Sequence, residues 1–335
     1  NGDDITFFYH KDKDLVFEGS STNLKNVTIK AKTYGIELQY GASVETIENV
    51  NIVAGENGIV VQAGTIGKIT NSVIEGKITG IRGQLKGIYD LKVAVDGTNE
   101  IRGGNYGIYL FDEGADITNP GSACLDYADA AAFVGGVKDM EFAFGQSGKL
   151  IINGAKVGAF ISSAEELFAF AKAVNEEGKS FANMVVYLTA DIDLENVAWT
   201  PVGQTGKTQF EGTFDGNGHT IDGLFYDGGQ RVMGLFSYVG ADNNGTYKTT
   251  IKNFNMTNAY IESTANDGAG FVAGQASRVA YFDKIYIDGT CEINSTVKGA
   301  GGILGQSGYN VFMSSIAMNG KVVGGSNVGA FVGTL

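Results

Sequence analysis

The chain has 335 residues, a formal charge of −13, 43% hydrophobic and 18% charged residues, 50 glycines and only two prolines. Collagen and proline-rich linkers both need proline, and 20 Phe with 15 Tyr supply more apolar surface than a disordered chain carries, so all three classes are excluded. The acidic balance without any basic cluster argues against nucleic acid and anionic membranes, and no apolar run reaches the ~20 residues of a membrane-spanning helix.

The chain opens Asn1-Gly2-Asp3-Asp4, which fits a processed leader or a cloned fragment. Its first half then repeats itself. Leu24-Lys25-Asn26-Val27-Thr28-Ile29 returns as Ile47-Glu48-Asn49-Val50-Asn51-Ile52, as Ile69-Thr70-Asn71-Ser72-Val73-Ile74 and as Ile88-Tyr89-Asp90-Leu91-Lys92-Val93. The starts are 23, 22 and 19 residues apart. A second phrase keeps step: Tyr34-Gly35-Ile36, Asn57-Gly58-Ile59, Thr79-Gly80-Ile81 and Tyr106-Gly107-Ile108. Short phrases that alternate apolar with polar and end at Gly or Asn are strands joined by tight turns. A period near 22 leaves room for about three strands per coil, the geometry of a parallel β-helix, where each coil stacks on the one before. A β-sandwich is the alternative, but it has no reason to repeat one phrase in one register. A single coil buries too little to offset the ordering of its backbone, so stability is collective. Asn26, Asn49 and Asn71 occupy one place in successive coils, with Asp90 next. They are read as an internal asparagine ladder in preference to a row that binds ligand.

From Ser162 the texture changes. Ser163 with Glu166 three residues later is a capping-box signature, and Leu167, Phe170, Ala171 and Val174 share one face, so an amphipathic helix is predicted over 163–177, stopping at Gly178. A strand follows at 185–194, then Trp199-Thr200-Pro201-Val202-Gly203 and the turn Asp215-Gly216-Asn217-Gly218. Repetition then resumes. Gly-rich phrases at Gly234, Gly270, Gly302 and Gly329 alternate with strands beginning at Ile251, Phe282 and Met313, each 31 residues after the last. The division predicted is an N-terminal β-helix over 1–158 and a second over 159–335, capped by the helix. The ending at Gly333-Thr334-Leu335, without a next strand, leads us to expect a longer parent protein.

The run from Ile161 through Leu188-Thr189-Ala190-Asp191-Ile192-Asp193-Leu194, Trp199-Thr200-Pro201-Val202-Gly203 and Gly212-Thr213-Phe214-Asp215-Gly216-Asn217-Gly218-His219-Thr220-Ile221 resembles the GLUG-repeat family of bacterial surface proteins. Gln275 and Gln306, following two of the Gly-rich phrases, extend the likeness, which covers residues 160–335. The resemblance implies an all-β, right-handed parallel β-helix exported to a bacterial surface and adhesin-like in role. It brings no active-site residues with it. Residues 1–158 resemble only the broad class of pectate-lyase-like β-helices.

Some β-helix proteins cut acidic polysaccharides, so carboxylates were weighed. Asp191 and Asp193, two apart on a strand, share a side, and Asp215, His219 and Asp222 lie near in sequence. Asp215-Gly216-Asn217-Gly218 reads first as a turn, with a calcium site or catalysis as alternatives. His10 and His219 are too far apart for a local metal or nucleophile motif. Cys124 and Cys291 are read as two buried thiols. Tyr34, Tyr40, Tyr106 and Tyr109 sit near recurrent turns and are candidates for an exposed aromatic row, or else scattered surface tyrosines. No catalytic, cofactor or metal residue is assigned. The function expected is a non-enzymatic surface module, adhesin-like or stalk, that meets a host or microbial glycan or surface protein, with no nucleic-acid partner and no membrane insertion. A polysaccharide lyase or hydrolase is the alternative.

Overall fold

The computed structural model describes residues 15–17, 23–39, 41–62, 64–85, 92–96, 98–104, 106–112, 140–144, 148–153, 156–182, 184–203, 208–229, 232–240, 249–264, 268–308 and 310–335. These form two compact units, Asn1–Ala159 and Phe160–Leu335. Both are parallel β-helix solenoids, built from strands that pair with the equivalent strand one coil on.

In the first unit each coil contributes one strand to each of three sheets. Tyr34–Leu38, Asn57–Gln62, Thr79–Leu85 and Tyr106–Asp112 form one ladder, with Ile36 beside Ile59, Ile59 beside Ile81 and Ile81 beside Ile108. A second runs through Asn23–Lys25, Ser43–Glu48, Thr65–Thr70 and Lys92–Asp96, and a third through Thr28–Ala31, Asn51–Ala54, Val73–Gly76 and Glu100–Gly103. Alternation within each strand sends Leu24, Ile47, Ile69, Ile52 and Ile74 inward, where all five are 0% exposed. Each such side chain contributes about 1.5–3 kcal/mol by leaving water. The recurrent glycine is required by close approach: a Cβ on Gly58 would lie 2.6 Å from the carbonyl oxygen of Gly80 in the next coil and 2.6 Å from Ile74. Among the described residues one hairpin departs from the parallel rule, since Met140–Phe144 pairs antiparallel with Gly148–Asn153 at the edge of the second sheet.

The fourth phrase falls in a different register from the one read in the sequence. Val95, not Ile88, follows Ile69, with a register shift between Val93 and Val95. Residues 86–91 lie outside the described residues, and so does Asp90. Beyond Val95, Glu100 pairs with Val73, so Thr98 comes opposite Asn71.

The second unit opens with the expected helix, Ala164–Asn175, whose N-cap is Ser163 and whose buried residues are Leu167, Phe170, Ala171 and Val174. The Ser163 hydroxyl accepts from Glu166 N at 3.3 Å, and the Glu166 carboxylate reaches back to the N–H and hydroxyl of Ser162 at 2.6 and 2.8 Å. That return bond goes one residue upstream of a standard capping box. Gly178, at φ +69, turns the chain away, with Lys179 N bonded to Ala173 O at 3.1 Å. Phe170 packs on Phe181, Phe210, Phe214 and Phe236 with ring centroids 5.1–6.4 Å apart. The helix therefore covers an aromatic core, where the first unit has an aliphatic one. Trp199, 2% exposed, donates its indole N–H to Leu235 O at 3.1 Å, and Asn175 holds the following turn through Pro201 O and Gly203 N.

The 31-residue repeat holds in three dimensions. Ile251 stands beside Phe282 and Phe282 beside Met313, along Thr249–Thr257, Ala280–Ile287 and Val311–Met318. One coil earlier the same track is two short strands, Thr213–Asp215 and Thr220–Asp222, separated by the Asp215-Gly216-Asn217-Gly218 turn. That turn persists in later coils as a single kinked residue with positive φ: Asn253, Lys284 and Ser315 at 62°, 51° and 54°.

Candidate functional site

A concavity among the described residues follows the asparagine column of the first unit. Between the second and third sheets the chain turns sharply at one residue per coil, and that residue adopts left-handed backbone: Asn26, Asn49 and Asn71 have φ of 56°, 54° and 49°. Asn is tolerated there because its short amide relieves the crowding that costs other L-residues about 1–2 kcal/mol. The backbone N–H of Asn26 donates to Glu48 O and that of Asn49 to Thr70 O, each at 3.1 Å, so the turns are laced coil to coil. Asn49 Nδ2 donates to Asn26 Oδ1 at 2.8 Å.

The three asparagines stack as the sequence predicts, but all are exposed and the ladder is not internal. A left-handed corner residue points its side chain away from the core. The buried amide is one coil further on and sequence reading missed it. Asn99, 2% exposed, accepts from Ser72 N at 2.9 Å and donates to Ile69 O at 2.7 Å, while Thr98 Oγ1 accepts from Asn71 N at 2.7 Å. Thr98 thereby supplies what a backbone carbonyl supplies in earlier coils, and Asn99 takes the place of the Ser72 hydroxyl that accepts from Val50 N one coil before. The signal was the extra residue between Val95 and Glu100.

Beside the asparagine column lies a groove of about 280 Å³. Val27 and Val50 form its floor, Val50 being 1% exposed, and the next column, Thr28, Asn51 and Val73, forms its far rim. Lys25 and Glu48 pair at 2.6 Å on the approach, and that ammonium holds the Glu48 carboxyl below its usual range.

The carboxylates weighed in the second unit do not gather into one site. Asp191 Oδ1 accepts from Thr220 N at 2.9 Å and lies 3.1 Å from His219 Nδ1; the backbone bond first, then the histidine, lowers its pKa. Asp193 caps the turn at Glu195 N, 2.8 Å away. Asp215, 6% exposed, accepts from Asn217 N and Asn253 Nδ2 and pairs with Lys252 at 3.3 Å. Burial, reinforced by the Asp215 charge, pushes the Tyr187 phenol far up. Asp222 receives Thr257 Oγ1 and, at 2.8 Å, Asn258 Nδ2. Each carboxylate closes a local turn or neighbouring coil. Among the described residues no three His, Cys, Asp or Glu side chains are arranged to hold a metal ion, and no helix is long and apolar enough to cross a membrane.

The tyrosine row does not form. Tyr34 and Tyr106 share a register column, but Asn57 and Thr79, both buried, stand between them, and Tyr109 is 8% exposed. Tyr40 lies outside the described residues. Stacked aromatic pairs instead join adjacent coils of the second unit: Tyr281 and Phe312, with centroids 4.8 Å apart and planes at 11°, and Phe225 and Tyr260, at 5.9 Å and 15°. Gln275 and Gln306 are neighbours in one column. Cys291 is 1% exposed and burial raises its thiol pKa, while Cys124 and His10 lie outside the described residues.

The strand ladders define the class as parallel β-helix solenoids. No protein-family model, curated protein or solved structure matches the chain.

Proposed function

We propose that the chain is a non-enzymatic, exported surface module, of the adhesin-like or stalk kind that the GLUG resemblance implies, presenting side-chain rows to a glycan or surface protein. The observation that carries this reading is register. Outward residues at matching positions fall into columns with one member per coil, as Asn26, Asn49 and Asn71 do. A column of identical groups at the strand spacing of about 4.8 Å suits a repetitive partner. The engagement of Asp191, Asp193, Asp215 and Asp222 in local turns supports a role without catalysis.

A glycan array run beside reducing-sugar and unsaturated-product assays tests the proposal. Binding without turnover is expected. Turnover abolished by Asp191→Ala or Asp215→Ala would replace it with the lyase or hydrolase alternative.

A further inference from the structure

The groove on the asparagine column combines three properties that narrow its ligand. Its floor is apolar, at Val27 and Val50; one rim is polar throughout, Asn26, Asn49 and Asn71, and the other carries two polar residues, Thr28 and Asn51, before it ends at Val73. An apolar base with a few convergent polar groups is the usual makeup of a small-molecule site. Its charge is balanced, since Lys25 is paired with Glu48 at 2.6 Å and the chain as a whole is acidic, which disfavours polyanions. Its backbone is already committed: Asn51 N donates to Val27 O at 2.9 Å and Val73 N to Val50 O at 3.0 Å. An extended peptide, which binds by adding to an open strand edge, finds no edge here. Sugar hydroxyls both donate and accept, as side-chain amides do, and the C–H faces of a sugar ring suit the valine floor.

We infer that this groove binds a neutral linear glycan laid along the stacking direction of the first unit, with one sugar ring per coil. The inference rests on the glycan-presenting reading above. The coil spacing of about 4.8 Å is comparable with the length of one pyranose unit in an extended chain. Successive rings therefore meet Asn26, Asn49 and Asn71 in turn. Floor and rims discriminate against acidic polymers, because no unpaired cation lines the groove.

The test uses the full 335-residue chain and calorimetric titration with neutral β-linked gluco-, manno- and xylo-oligosaccharides of increasing length, with oligogalacturonate as the acidic control. Two variants separate binding from folding. Asn26→Gly/Asn49→Gly/Asn71→Gly removes the amides while keeping the left-handed corners; Thr28→Val/Asn51→Val removes the opposite rim with a strand-favouring residue. One neutral series is expected to bind, with affinity rising up to three rings, then levelling and changing little with salt. Each variant should weaken it at least about tenfold, at roughly fivefold per lost hydrogen bond. Neutral-glycan affinity unchanged in both variants, preference for oligogalacturonate, or no binding to any neutral series would each overturn the inference. Unchanged binding would leave the proposed function standing with its site elsewhere, whereas turnover of the bound glycan would overturn the function itself.

Discussion

Replacing Asn49 by alanine and by glycine separates the two jobs the residue performs. Asn49 sits at φ +54° and its amide bonds Asn26 at 2.8 Å. Alanine forfeits both: about 1–2 kcal/mol because it lacks the short amide whose local hydrogen bonding lets Asn occupy left-handed backbone, and about 0.5 kcal/mol for an exposed hydrogen bond, the low end of the usual range. The expected loss is thus about 1.5–2.5 kcal/mol. Glycine also loses the bond and about 0.5–1 kcal/mol through the freedom of its unfolded chain, but takes the left-handed corner without strain, so its expected loss is about 1–1.5 kcal/mol. The gap between the two variants is therefore about 0.5–1 kcal/mol, and roughly three times that when Asn26 and Asn71 are changed as well, provided adjacent coils do not couple strongly. Urea unfolding followed by far-UV circular dichroism measures the total, and hydrogen exchange of peptides from residues 23–76 locates it. Equal stability of the alanine and glycine variants would refute the claim that these asparagines are selected by the corner they occupy.

Other perturbations probe other layers of the structure. Gly58→Ala should cost about 1–3 kcal/mol, because its Cβ meets the Gly80 carbonyl and Ile74; a melting temperature equal to wild type would show that the coils are not in the contact described. Phe170→Ala should cost about 3–5 kcal/mol and expose the second unit's aromatic core, read as increased quenching of Trp199; a loss below 1 kcal/mol in thermal unfolding would contradict the cap. Asp288 has its pKa lowered by the hydroxyl and N–H of Thr290. Its contribution to stability is therefore complete above the unfolded carboxyl range, about pH 4, and is lost as pH falls through the lower folded value. Asp288→Asn should be less stable at pH 7 and show a flatter acid dependence below about pH 4, and an unchanged acid slope in pH-stepped denaturation would count against the bond.

Much of this architecture is legible in the sequence because a solenoid writes its contacts locally. The steps of 23 and 22 that carry Asn26 to Asn49 and Asn71 are the coil register itself, and the 31-residue steps from Ile251 to Phe282 and Met313 are likewise register pairs. The helix was legible because capping chemistry and its apolar face agree at Ser163, Leu167 and Phe170. Legibility failed where loop length varies. Ile88 resembles Ile69 in its phrase, yet a longer connection moves Val95 into its place. The same slip hid Asn99, whose amide accepts from Ser72 N as the Ser72 hydroxyl accepts from Val50 N one coil before. The tyrosines share a column but not adjacent coils: Tyr34 and Tyr106 are separated by Asn57 and Thr79, which the in-step phrases already place at the same position. Asp191, Asp215 and Asp222 lie close in sequence, but which backbone groups each meets depends on the coil stacked above it.

Coil-on-coil register is tested most directly by disulfide trapping between exposed positions of neighbouring coils, with Cys124 and Cys291 changed to alanine. Lys30 and Val53 are register partners in the third sheet, and parallel neighbours at about 4.8 Å fall inside the Cα window of 4.4–6.8 Å that a disulfide accepts. Lys30→Cys with Val53→Cys should therefore oxidise to a single cross-link in peptide mapping, while Thr28→Cys with Val53→Cys, two residues out of step, should not. Cross-linking of the offset pair in preference to the aligned one would contradict the stacking on which the groove, the columns and the proposed function depend.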